Sequence, residues 1–148
     1  MRKNKPDAQT VVIYTDGACH PNPGRGGWGA ILFLTEGEKI IRGSAAQTTN
    51  NRMELTAAIE ALKLVPENLR VVVYTDSQYL KQGIEEWLPQ WKNRNWRRKG
   101  GKLANLDLWK ELSIEQDRLN IKWNWVRGHS GDRNNERVNR IAQNAMYG

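Results

Sequence analysis

Two stretches, Val11-Val12-Ile13-Tyr14-Thr15-Asp16 and Val71-Val72-Val73-Tyr74-Thr75-Asp76, decide how this chain reads. Each is a run of β-branched and aromatic residues that closes on an aspartate, the pattern of a buried strand bounded by a turn signal. Paired in parallel, two such strands bring their terminal carboxylates about one strand spacing apart, ~5 Å. Ligands of α/β sheets bind beyond the carboxyl ends of the strands, so a site is expected there. Two anions that close repel each other unless a cation or a shared proton lies between them.

Outward from these strands the order is mixed α/β. Asp16-Gly17 reads as a turn, and Cys19 to Gly27, with two prolines and three glycines, as a loop. Trp28 to Leu34 and Lys39 to Ala46 read as strands joined in a hairpin at Thr35-Glu36-Gly37-Glu38. Leu55, Ala58, Ile59, Leu62 and Val65 recur at helical spacing until Pro66. After the second valine-rich strand, a short helix is expected from Ser77 to about Gly83, then an irregular basic stretch from Trp87 to Gly101. A helix over Leu106 to Leu119, a strand over Ile121 to Val126 and a helix faced by Val138, Ile141, Ala142 and Ala145 complete the order. Strands separated by helices pair in parallel and hairpins antiparallel, so the expectation is a mixed sheet flanked by helices.

The chain of 148 residues suits one domain over 1–148, with 1–9 a loose lead-in. Hydrophobic residues at 39% and charged residues at 26% exclude collagen-like, disulfide-framework and disordered classes. Lys and Arg number 23 against 16 for Asp and Glu, a net charge of +7 that points to a polyanionic partner. The single cysteine, Cys19, forbids an internal disulfide and suits a reducing compartment. No apolar run approaches the ~20 residues of a membrane span. A cytoplasmic monomer is expected.

Each acid has an ordinary alternative. Asp16 can belong to a turn, Asp76 can cap the following helix, and Glu54, three residues after Asn51, can close a capping box. Together they read differently. Ala57, Ala58 and Ala61 let the helix of Glu54 pack closely on a sheet, which points its carboxylate towards the strand ends. Three converging acids call for a divalent cation, and an oxygen donor set favours Mg²⁺ or Mn²⁺ over zinc.

Four ordered blocks then carry a resemblance: Tyr14-Thr15-Asp16-Gly17 with Asn22-Pro23-Gly24; Thr48-Thr49-Asn50-Asn51-Arg52-Met53-Glu54-Leu55; Thr75-Asp76-Ser77-Gln78-Tyr79; and Trp125-Val126-Arg127-Gly128-His129-Ser130-Gly131. In order and spacing the chain resembles type 1 ribonuclease H, from about Val11 to the last helix. The resemblance implies a ribonuclease H-like α/β fold, a five-stranded mixed sheet with helices on both faces. It implies endonucleolytic hydrolysis of the RNA strand of an RNA–DNA hybrid, leaving 3′-hydroxyl and 5′-phosphate ends, with two Mg²⁺ ions ~4 Å apart. Asp16 matches the carboxylate that bridges the metals, Glu54 and Asp76 the next ligands, and His129 a histidine that serves proton transfer or product release. His20 has no assigned role.

The family's fourth acid, an Asp in Glu-Arg-x-Asp, is replaced here by Asn139 in Glu136-Arg137-Val138-Asn139. An amide offers a carbonyl oxygen without charge. The expectation is a working enzyme with a weaker hold on one metal and a tilt towards Mn²⁺, with Glu136 a weak candidate for compensation.

A hybrid is told from DNA by its 2′-hydroxyls in a wide minor groove. By resemblance Cys19, Asn22, Asn50, Asn51 and Gln78 contact that groove and Thr49 a DNA-strand phosphate. Turn and cap chemistry is the plainer reading of the asparagines. Trp87, Trp91 and Trp96 alternate with Lys92, Arg94, Arg97, Arg98 and Lys99, and no acid occurs from Trp87 through Leu106. The run resembles the family's basic protrusion, which grips the DNA strand through phosphate and sugar. Trp87 and Trp91 are expected to line the DNA channel, Trp96 is left open, and Trp28, Trp109, Trp123 and Trp125 read as core or half-buried. The alternative function is a catalytically silent binder of hybrid or double-stranded RNA on the same fold. An integrase-like or resolvase-like nuclease fits the asparagine set and the basic run poorly.

Overall fold

A computed structural model describes residues 10–67, 69–97, 104–127 and 132–148. The strands are β1 (Thr10–Cys19), β2 (Gly24–Leu34), β3 (Gly37–Thr48), β4 (Arg70–Thr75) and β5 (Asn120–Trp125). The α-helices are α1 (Asn50–Lys63), α2 (Gln78–Gln82), α3 (Leu88–Asn93), α4 (Leu106–Arg118) and α5 (Arg133–Tyr147), with a π-helical turn, Gly83–Trp87, between α2 and α3. One five-stranded sheet has the order β3-β2-β1-β4-β5. The hairpin pairs β1–β2 and β2–β3 are antiparallel, and β1–β4 and β4–β5 are parallel. The expected mixed sheet is therefore present, with the two valine-rich strands adjacent at its centre.

Helices cover both faces. On one, α1 buries Leu55, Ala58, Ile59, Ala61 and Leu62 against Val11, Ile13, Val71 and Val73, and α4 adds Trp109 and Leu112. On the other, Val138 of α5 packs with Tyr14 and Ile31. Arg118 of α4 donates to the Val65 and Leu62 carbonyls at 2.8 and 2.9 Å, and its partner Glu115 is itself buried. This side chain adds a second donor to the Leu62 carbonyl, which already accepts from Val65 N at 3.0 Å, and reaches the Val65 carbonyl just past the end of α1. No helix among the described residues is long and apolar enough to cross a membrane.

Three expectations are corrected. Asp16-Gly17 is not a turn: β1 runs on to Cys19, held by β2 through Asp16↔Gly29 and Cys19↔Gly26. The segment Cys19 to Gly27 is not all loop, because β2 starts at Gly24. Its glycines mark close packing: a Cβ at Gly27 would lie 2.4 Å from backbone atoms of Ala142 and Met146 in α5. The stretch from Trp87 is not irregular throughout, since it is helical as far as Asn93.

Candidate active site

The parallel register runs to Tyr14↔Tyr74, which brings Asp16 of β1 level with Asp76, the residue that follows the end of β4. Two β-strand side chains in step on one sheet lie about one strand spacing apart. Glu54 comes from α1, and oxygens of Asp16, Glu54 and Asp76 all lie within 4.8 Å of one another. Gly17 makes this approach possible. A Cβ there would lie 2.5 Å from Glu54 N and 2.5 Å from Met53 C, so a larger residue would push α1 off the strand. The ordinary readings of the acids do not hold. Thr49, not Asn51, caps α1 by accepting from Arg52 N at 3.2 Å. Ser77, not Asp76, caps α2 by accepting from Leu80 N at 3.1 Å.

Electrostatics at this cluster are adverse without a counter-charge. Burial, and then the Asp76 charge, push the Asp16 carboxyl up to about 6. Burial, followed by Asp16 and Asp76, raises Glu54 well above the usual carboxylate range. The Gly17 backbone N–H works against both shifts. One buried oxygen, Glu54 Oε1, has no hydrogen-bond partner. An orphaned buried oxygen among three close carboxylates, with no nitrogen or sulfur donor in the group, fits a hard divalent cation. Asn139 borders the cluster as expected, but its amide nitrogen donates to Asp16 Oδ2 at 2.8 Å. Glu136 is exposed and lies outside the carboxylate group.

Several groove candidates share elements with the cluster acids: Cys19 ends β1, Asn50 and Asn51 open α1, and Gln78 opens α2. The Asn22 side chain accepts from Asn50 N at 3.1 Å, and Cys19 Sγ lies 3.3 Å from Pro21 O and 3.5 Å from Thr48 O. Asn51 is half-buried at the start of α1, and Gln78 is exposed at the start of α2. Along the basic run, Trp87 and Trp91 stack at 5.8 Å and both meet buried Trp109, which gives them a packing role. Trp96 is half-buried with Lys110 Nζ 5.9 Å from its ring. Lys92 pairs with Asp117 at 2.8 Å, whereas Arg94 and Arg97 are exposed. His129, Arg98 and Lys99 lie outside the described residues. The sequence did not reveal that Arg52 makes a bidentate pair with Asp107 at 3.0 and 2.7 Å; nothing in its spacing announces a partner so far along the chain.

Fold and cluster together define a nuclease-type α/β domain whose central parallel strands present acids fit for a divalent metal. Comparisons with known proteins narrow that class. The family model RNase H matches residues 8–147. The chain is 53% identical over 135 residues to a ribonuclease H of Hahella chejuensis, covering 90% of this chain and 91% of that one. It is 52% identical over 139 residues to a ribonuclease H of Cupriavidus pinatubonensis, covering 93% and 96%. Among solved structures, LC9-RNase H1, described as a type 1 RNase H with the type 2 active-site motif, matches with a TM-score of 0.84 and 33% identity. That match covers 94% of this chain and 72% of the other. The chain belongs to the RNase H family.

Proposed function

We propose that this ribonuclease cuts the RNA strand of RNA–DNA hybrids internally, leaving 3′-hydroxyl and 5′-phosphate ends, at a site that takes two divalent cations, Mg²⁺ first and Mn²⁺ as substitute. The observation that carries the reading is the convergence of Asp16, Glu54 and Asp76 on one point. Two cations bound there would supply a nucleophilic water at neutral pH and charge stabilisation at the leaving oxygen. Asp16, Glu54 and Asp76 would hold them, and Asn139 would complete the set, either through its carbonyl oxygen or by orienting Asp16 with its amide N–H. His129 moves a proton or eases product release.

Cys19, Asn22, Asn50, Asn51 and Gln78 read the 2′-hydroxyl groove with short polar side chains. Thr49 keeps its hydroxyl proton for a DNA-strand phosphate, because its oxygen is the acceptor in the helix cap. Arg94, Arg97, Arg98 and Lys99 grip the DNA strand, with Lys92 at the edge of that surface and Trp87 and Trp91 lining its channel side. The whole chain acts as one domain, as a monomer in the cytoplasm. A silent binder on the same fold remains the second reading, because Asn139 removes a charge from the site. One gel separates the two. Labelled hybrid, duplex DNA and duplex RNA are each incubated with Mg²⁺ or EDTA. Cleavage of the hybrid's RNA strand alone, with Mg²⁺ only, is expected; binding without cleavage overturns the enzymatic reading.

A further inference from the structure

Tyr79 lies outside the carboxylate cluster, yet its hydroxyl receives two hydrogen bonds, from Asn105 Nδ2 at 2.8 Å and from Trp109 Nε1 at 3.1 Å. Trp109 is fully buried, so its indole N–H needs an acceptor inside the protein. Asn105 uses the other end of its amide to accept from Arg52 at 3.2 Å. Asn105 stands at the N-cap position of α4, in a left-handed conformation with φ 58°, and makes no side-chain cap bond. Asparagine is among the favoured caps, so that role has been given up for a bridge between other elements. Arg52 is further held by its bidentate pair with Asp107.

The Tyr79 ring meets Trp87 at 5.4 Å and Trp109 at 5.6 Å. The π-helical turn presses so closely on Trp109 that a Cβ at Gly83 would lie 2.0 Å from the indole. Tyr79, near the start of α2, therefore links two other places: its hydroxyl takes Asn105, which in turn accepts from Arg52 at the start of α1, and it takes Trp109, whose ring meets Trp87 and Trp91 at the root of the basic segment.

We propose that Tyr79 is a positioning residue for the substrate. Through Asn105 and Trp109 its hydroxyl ties Arg52 at the start of α1 to the Trp87–Trp91 pair that begins the basic run, so that Arg94 and Arg97 and the groove-facing asparagines engage one duplex together. This rests on the proposed grip of the DNA strand by the basic segment. Without the hydroxyl the basic run is no longer held in register with the asparagines, so about one phosphate contact is lost when the groove is engaged and affinity falls.

Tyr79→Phe keeps the ring and removes only the acceptor. The expected result is a KM for hybrid raised about fivefold, kcat within about twofold, and a plot of log KM against log salt shallower by about one. A merely structural tyrosine would lower the melting temperature and leave KM and its salt slope unchanged below it; that result overturns the proposal. Asp107→Ala is the second variant and decides alone if Tyr79→Phe is unfolded at the assay temperature. It removes an exposed acid, so simple electrostatics gives a lower KM, whereas loss of the anchor on Arg52 gives a higher one. A lower or unchanged KM overturns the proposal. Arg94→Gln with Arg97→Gln tests the underlying reading. If that variant keeps the parent salt slope, the grip itself fails and the proposal with it. If its slope falls while that of Tyr79→Phe does not, only the role of Tyr79 fails.

Discussion

At the scale of single residues, burial and the neighbouring Asp76 charge bear directly on Asp16. Its carboxyl rises from 3.8 to about 6 in the folded protein. The folded state therefore holds this proton more tightly than the unfolded state. That contribution to stability is complete below the unfolded value and is lost as pH rises through about 6. The loss amounts to about 3 kcal/mol at one shifted carboxylate of this size. In EDTA, urea unfolding is expected to show stability falling over that window, and Asp16→Asn should remove most of the slope. Adding Mg²⁺ or Mn²⁺ at neutral pH should restore the lost stability in the parent and not in the variant. Asn139 sets the second expectation. Its amide N–H donates to Asp16 at 2.8 Å, and a carboxylate there would repel Asp16 until a cation is bound. Asn139→Asp should lower metal-free stability at neutral pH and reduce the metal concentration for half-maximal activity about tenfold. Unchanged metal dependence would remove Asn139 from the site.

At the scale of elements, the site depends on how α1 is clamped at both ends. Its start is capped by Thr49 and tied to α4 through Arg52 and Asp107. Its end is closed by Arg118, which reaches the Leu62 and Val65 carbonyls and the Glu115 carboxylate. Arg118→Met keeps most of the aliphatic bulk but leaves a buried carboxylate without its cation. Breaking such a pair costs about 3 kcal/mol. Urea unfolding should show that loss, while kcat and KM measured below the transition stay near the parent values, because this end of α1 is remote from Glu54. A fall in kcat without a fall in stability would show that the far end of α1 governs the carboxylates directly.

At the scale of the whole molecule, function divides between an anionic cluster and a basic surface. A net charge of +7 surrounds a site made of three acids. Long-range attraction draws in a polyanion, and the acids make the scissile region require cations. Neutralising Arg97, Arg98 and Lys99 together should raise KM more than it lowers kcat, with the difference shrinking as salt rises. Steady-state kinetics at two salt concentrations checks this. A KM that does not move at moderate salt would mean that the basic run binds nothing.

The sequence by itself determined the two valine-rich strands, the apolar helix faces and the aspartates that close the strands, because each rests on local pattern. A valine-rich run closed by aspartate appears twice, and helical spacing of apolar residues needs only a few turns to be legible. Glycines misled at Gly17 and Gly24 to Gly27, since the same residue that permits a turn also permits two backbones to touch, and only the neighbouring helix distinguishes them. Tertiary structure alone decided that Thr49 and Ser77 take the caps, which leaves Glu54 and Asp76 for the cluster. It alone decided that the Asn139 amide faces Asp16, and that Tyr79, Asn105 and Arg52 meet. Side-chain direction and contacts between residues far apart along the chain depend on how helices are laid across a sheet, and no short-range spacing encodes that.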